Sequence, residues 1–140
     1  MIKISKKIFK AKTAEIPKVK KYVEKQLVLW KISEKHIKDI VLVCDEASTN
    51  IVTHAYNSEN AEENKFEIKL IKRNNVLKIV MIDSGKAYNI LNAPPPDIRL
   101  NLRGEKKGGF GVFLMKNLMD RIRYRNIDNK NMINLVKITN

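Results

Sequence analysis

The sequence predicts an α+β fold, a two-layer sandwich with helices on one face of a mixed β-sheet. Two amphipathic helical stretches lie between a first alternating stretch and a hairpin pattern, and a helix followed by a second hairpin closes the chain. Elements in this order bury their apolar helix stripes against one sheet face. The 140 residues suit a single domain spanning 1–140.

The elements follow in order. Residues 2–10 place Ile2, Ile4 and Ile8 at even positions, the two-residue period of a strand. Residues 14–31 carry Ile16, Val19, Val23, Leu27 and Trp30 at three- and four-residue steps, the period of an amphipathic helix. Pro17 falls near its first turn, where a missing N–H is tolerated. Ser33 suits the N-cap of a second helix running to about Tyr56. Phe66, Ile68 and Leu70 alternate, Arg73-Asn74-Asn75 makes a turn, and the apolar run 76–83 predicts a central strand, so 65–83 reads as a hairpin. Residues 84–108 contain Gly85, Pro94, Pro95, Pro96, Gly104 and Gly108 and predict a long irregular segment, the length of a lid or binding loop. A helix over 110–120, a strand over 121–127, a turn at 128–131 and a closing strand over 132–138 complete the chain.

Lys and Arg number 28 against 15 Asp and Glu, a net charge of +13. The lysines are spread along the whole sequence. No predicted helix gathers them in a stripe and no aromatics interleave with them, which argues against direct nucleic-acid binding. A solvated lysine-rich surface and attraction to an acidic protein partner both remain as readings. Cys44 is the only cysteine, so no internal disulfide or Cys/His zinc cluster is expected. No apolar run approaches the ~20 residues of a membrane span, and the first ten residues carry no signal-peptide apolar region. A soluble, cytoplasmic protein without a membrane partner is the expectation.

Three segments carry chemistry. In the first, Ile37, Ile40, Val41, Cys44, Ala47, Ile51 and Ala55 gather on one helix side, while Glu46, Asn50 and His54 follow one another at four-residue steps on roughly the opposite side. An amide oxygen one turn from a carboxylate can ligate a hard cation such as magnesium; the same side also reads as an ordinary solvated face. In the second, the apolar strand ends in Asp83-Ser84-Gly85. A carboxylate there can accept a hydrogen bond from an exocyclic amine, and glycine lets a flat ring approach the backbone. In the third, Gly108, Gly109 and Gly111 precede an amphipathic helix, whose first N–H groups can bind phosphate. No lysine-serine/threonine ending follows, so this is not a Walker A loop.

Taken in order, these segments resemble the motifs of the GHKL ATPases, the superfamily of gyrase, histidine kinases, the ninety-kilodalton heat-shock chaperone and a mismatch-repair ATPase. Glu46-x-x-x-Asn50 matches the N box, Asp83-x-Gly85 the first glycine box and Gly109-x-Gly111 the second. Within that superfamily the chain looks most like the anti-sigma-factor serine/threonine kinases of bacterial stress-response and sporulation switches. The likeness rests on residues 45–56, on Pro94-Pro95-Pro96-Asp97 and on the run 108–120. Lys86-Ala87-Tyr88 stands where many GHKL members have a second glycine, a departure this branch often shares.

The resemblance implies roles for the matched residues. Asn50 would ligate a magnesium ion bridging the ATP phosphates, Asp83 would bind the adenine amino group, and Gly85 would lie against the base. Gly108, Gly109 and Gly111 would support the phosphate lid, with Lys106 and Lys107 just before it. Glu46 would be the general base toward a partner's hydroxyl. His54 would line the pocket or simply pack. The implied partners are a sigma factor and a STAS-type anti-anti-sigma protein, with the kinase itself a homodimer. The alternative is a slow or non-catalytic ATP-binding module that sequesters its partner.

Overall fold

The computed structural model describes residues 1–56, 63–92 and 110–139. Among these, eight main elements follow in order. They are β1 (Ile2–Lys10), α1 (Ile16–Leu29), α2 (Glu34–Asn50), β2 (Lys65–Arg73), β3 (Val76–Asp83), α3 (Phe110–Leu118), β4 (Arg121–Ile127) and β5 (Lys130–Ile138). The strands form one sheet in the order β1-β2-β3-β5-β4. Its inner face presents Phe66, Ile68, Leu70, Leu77, Ile79, Met81, Ile133 and Leu135, all buried, to the helices. The two-layer arrangement is the one the element order predicts.

Strand direction departs from the expected mixed sheet. Every pairing among the described residues is antiparallel. The connections explain this. Lys10 at the end of β1 pairs with Lys65 at the start of β2, so the two intervening helices return the chain to the sheet end it left. β3 and β4 do run the same way, but β5 pairs with both and lies between them, so no parallel ladder forms.

Local chemistry sets the boundaries. The Ser33 side chain accepts from the His36 N–H at 3.4 Å and caps α2. α1 ends in a Schellman turn: Lys31 N–H donates to Val28 O, Ile32 N–H donates to Leu27 O, and Lys31 takes a φ of 58°. The apolar contact usual to that turn is present, since Leu27 and Ile32 are both buried in the core. Asp128 and Asn129 both have positive φ, as a two-residue type I′ hairpin requires, so β5 starts at Lys130, two residues earlier than the alternation alone suggests.

The second helix does not continue uniformly to Tyr56. It is α-helical to Asn50, and Ile51–Ala55 form a π-helical turn closed by Tyr56 N–H to Ile51 O. Its buried arc is also displaced from the expected one. Val43 is fully buried and Val41 only partly, because α3 packs against the side of α2 that bears Val43 and widens the apolar arc toward Asn50.

Leu27 is fully buried and also closes the α1 turn. Leu27→Ala is expected to destabilise the fold by about 2–5 kcal/mol, read as a lower urea midpoint with an unchanged slope.

Candidate functional site

The site lies where the end of β3, the start of β5 and the π turn meet. Successive residues of a strand point to opposite faces, so Asp83 points to the helix side, directly opposite Asn131 in the β3–β5 register. Both are buried. Asn131 Nδ2 donates to Asp83 Oδ1 at 2.8 Å, to Lys86 O at 2.9 Å and to Gly85 O at 3.3 Å. Asn131 Oδ1 accepts from the Tyr124 hydroxyl and from Asn126 Nδ2. The Tyr124 oxygen in turn accepts from the Tyr88 N–H. One buried amide thus joins β3, β4, β5 and the segment after β3.

Gly85 N–H donates to Asp83 Oδ1 at 3.0 Å. Asp83 Oδ1 is therefore doubly engaged, while Oδ2 has no hydrogen-bond partner among the described residues. Burial pushes the Asp83 pKa up, and the hydrogen bonds from Asn131 and Gly85 partly offset that rise.

A cavity of about 30 Å³ opens beside Asp83, lined also by Asn50, Tyr88, Ile90, Tyr124 and Asn131. Asn50 and Asp83, distant in sequence, face this one space. The Asn50 Nδ2 is buried and has no hydrogen-bond partner among the described residues. An orphaned buried amide costs about 1–3 kcal/mol, and a ligand in the cavity would relieve it. The amide can equally turn its oxygen inward, which suits a hard cation. Among the described residues no cluster of three or more His, Cys, Asp or Glu could hold a metal. A magnesium ion at Asn50 would therefore take its other ligands from phosphate and water, as this ion commonly does. The present volume holds about one water molecule. Tyr88 and the buried Ile90, on the segment after β3, form part of its wall.

Two glycines mark close approaches. A side chain at position 85 would overlap the Ala55 carbonyl, and Lys86 N–H donates to that same carbonyl at 2.6 Å. The π turn and the β3 exit are therefore in direct backbone contact. A side chain at position 111 would overlap the Glu46 carboxylate. Glu46 thus lies beneath the first turn of α3 rather than on an open solvated face. Burial raises its pKa, and neighbouring Asp45 adds to the rise. Asp45 itself turns the other way, toward Lys20 at 3.3 Å.

The remaining expected residues divide. His54 is exposed and stacks on Tyr88 with ring centroids 4.5 Å apart; it reaches the cavity only through that ring. Lys106, Lys107, Gly108 and Gly109 lie outside the described residues. Sequence reasoning missed Asn131 and Tyr124 as site residues. The available signal was a polar residue on the inward face of β5, in line with Ile133 and Leu135.

The raised Asp83 pKa has a testable sign. A carboxyl whose folded pKa exceeds its unfolded value binds a proton more readily when folded, so stability falls as pH rises between the two values. Asp83→Asn removes the buried charge and keeps an oxygen for Asn131 and Gly85. It is expected to raise Tm at neutral pH, with the advantage shrinking at acid pH as the wild-type carboxyl is protonated. Thermal melts across pH 4–8 check this.

Comparison with known proteins bears on the family and the fold. The family model described as "Histidine kinase-like ATPase domain" matches residues 9–137. The chain is 29% identical over 110 residues to "Serine-protein kinase RsbW" of Bacillus licheniformis, covering 74% of this chain and 66% of that protein. It is 30% identical over 96 residues to "Serine/threonine-protein kinase BtrW" of Bordetella bronchiseptica, covering 69% and 66%. It is 26% identical over 92 residues to "Serine-protein kinase RsbW" of Bacillus pumilus, covering 63% and 57%. The chain thus spans less than two thirds of the length of these relatives. In structure it resembles the RsbU and RsbW domains of Rv1364c from Mycobacterium tuberculosis, with a TM-score of 0.64 at 14% identity over 96% of this chain and 32% of that one. With residues 9–137 matched and the two-layer sandwich in agreement, the chain belongs to the histidine kinase-like ATPase domain family.

Proposed function

We propose that this chain binds ATP with magnesium at the Asn50–Asp83 cavity and transfers a phosphoryl group to a serine or threonine of a STAS-type anti-anti-sigma protein. In this reading it also binds a sigma factor, acts as a homodimer and works in the cytoplasm. The observation that carries the reading is that Asn50 and Asp83 share one cavity, with Asn50 Nδ2 and Asp83 Oδ2 both lacking a hydrogen-bond partner among the described residues. Its named relatives among the serine and threonine kinases support the reaction class.

Phosphoryl transfer depends mostly on positioning and charge neutralisation. Asp83, held by Asn131, would fix the base by accepting from its exocyclic amine. Asn50 would hold magnesium, which supplies charge neutralisation at the phosphates when bound. Glu46, with its raised pKa, would accept the proton of the attacking hydroxyl. Gly111 would keep the first turn of α3 close over that carboxylate.

A second reading is a slow or non-catalytic module that sequesters its partner. The cover that α3 places over Glu46 favours it. The two readings share nucleotide binding and differ in transfer.

Calorimetry with MgATP tests the common step, and tyrosine fluorescence should change because Tyr88 and Tyr124 line the cavity. Absence of binding heat overturns both readings. Asn50→Ala should weaken MgATP by roughly tenfold or more, about 1.4 kcal/mol per decade. Glu46→Gln should keep binding and lose transfer by roughly 10²–10⁴-fold, followed with labelled ATP and a STAS-type substrate. Transfer at the wild-type rate would remove Glu46 from the base role.

Gly111→Ala gives an independent check. The clash is with a flexible carboxylate rather than with backbone. Stability should therefore hold or rise by a few tenths of a kcal/mol on helix propensity, while transfer falls as Glu46 is displaced. Unchanged transfer would dissociate Gly111 from the carboxylate.

A further inference from the structure

The sheet face turned away from the helices gathers charge that looks scattered in the sequence. Strand alternation and register bring Arg121, Arg123 and Arg125 of β4 onto this face, opposite Val136, Asn134 and Met132 of β5. Lys78 of β3 stands on the other side of Val136. Together they bound a groove of about 320 Å³ whose floor is Met132, Asn134 and Val136. The three arginines are exposed, and no ion pair among the described residues involves them. The only carboxylate among the strand residues on this face is Glu67, on β2.

We propose that this groove docks an extended acidic segment of a partner protein, with carboxylates at alternate positions. The spacing argues for it. Residues two apart on a strand are separated by about 6.8 Å, so the arginines form a ladder at that repeat. An extended peptide repeats its alternate side chains at the same interval. Each guanidinium can take a carboxylate in a bidentate pair. The apolar floor at Met132 and Val136 accepts the small or apolar side chains between the acids. Asn134, between Met132 and Val136, can hydrogen-bond a polar side chain or the backbone of the docked segment, and a partly apolar floor with a charged rim suits a protein interface.

Other occupants fit less well. No aromatic side chain lies on this face among the described strand residues, so bases find no stacking platform. Met132 and Val136 in the groove floor are only partly exposed, below the longer arginines; the exposed apolar residues of this face, Ile2, Ile4, Ile8, Val76, Ile127 and Ile138, lie outside the groove lining. A second copy has an apolar surface of its own to meet on this face, the exposed Ile2, Ile4 and Ile8 of β1 at the edge opposite the arginines. The proposal is independent of nucleotide binding.

The test uses an eight-residue peptide of alternating glutamate and threonine, and a block peptide with four glutamates followed by four threonines. NMR titration of the full chain should move Met132, Asn134, Val136 and the arginine side chains, with the alternating peptide binding several-fold tighter than the block peptide. R121E/R123E/R125E should lower affinity at least tenfold, while K21E/K25E/K35E, of equal charge change on the helix side, should lower it less than threefold. Equal losses in the two triple variants, shifts centred on the helices, or no preference between peptides would overturn the proposal. So would tighter binding of the same face to an oligonucleotide or to phosphatidylglycerol vesicles, or its burial in a dimer by sedimentation and exchange protection.

Discussion

A buried carboxylate at the end of a central strand constrains everything around it. Asp83 is held out of water between sheet and helices, so its charge must be supported by fixed donors. Asn131 supplies one from the neighbouring strand and Gly85 another from the chain's own next turn. The same Asn131 amide holds the carbonyls of Gly85 and Lys86, which fixes the course of the chain as it leaves β3. That course brings Lys86 against the Ala55 carbonyl and seats the π turn beside the cavity. π turns inside helices occur often at functional sites, and here the turn follows directly after Asn50.

The two faces of the sheet serve different ends. The inner face is apolar and packs α1, α2 and α3. It also positions Glu46 and Asn50, because α3 packs on the flank of α2 that bears them. The outer face carries alternating cations along β4 beside a groove floored by Met132, Asn134 and Val136, and exposed isoleucines along β1. A net charge of +13 is therefore not an even coat of solvated lysine. The antiparallel pairing of β4 with β5 concentrates part of it along one groove, on the sheet face opposite the Asn50–Asp83 cavity.

Much of the fold was legible because it rests on local periodicity. Ile16, Val19, Val23 and Leu27 marked α1, Ser33 marked the start of α2, and the alternation around Phe66, Ile68 and Leu70 marked β2. The candidate site was partly legible for the same reason, since Glu46 and Asn50 sit one helical turn apart and Asp83 ends a strand. Residues whose roles depend on distant partners were not. Asn131 reads as a turn residue until register sets it opposite Asp83, and Tyr124 as one alternating residue among several. Val43 joins the core only because a second element covers its flank of the helix.

The sequence alone determined the number and type of most elements, their order, the two-layer class and the motif residues, because periodicity, capping and turn chemistry act over a few neighbours. Tertiary structure decided what requires long-range pairing. It placed β5 between β3 and β4 and so made the sheet antiparallel, and it brought Asn50 and Asp83 to one cavity. It also laid Gly111 on Glu46 and aligned three arginines along a groove. The physical reason is that strand register and helix docking are settled by burying the whole apolar surface at once, and no local window of the chain contains that information.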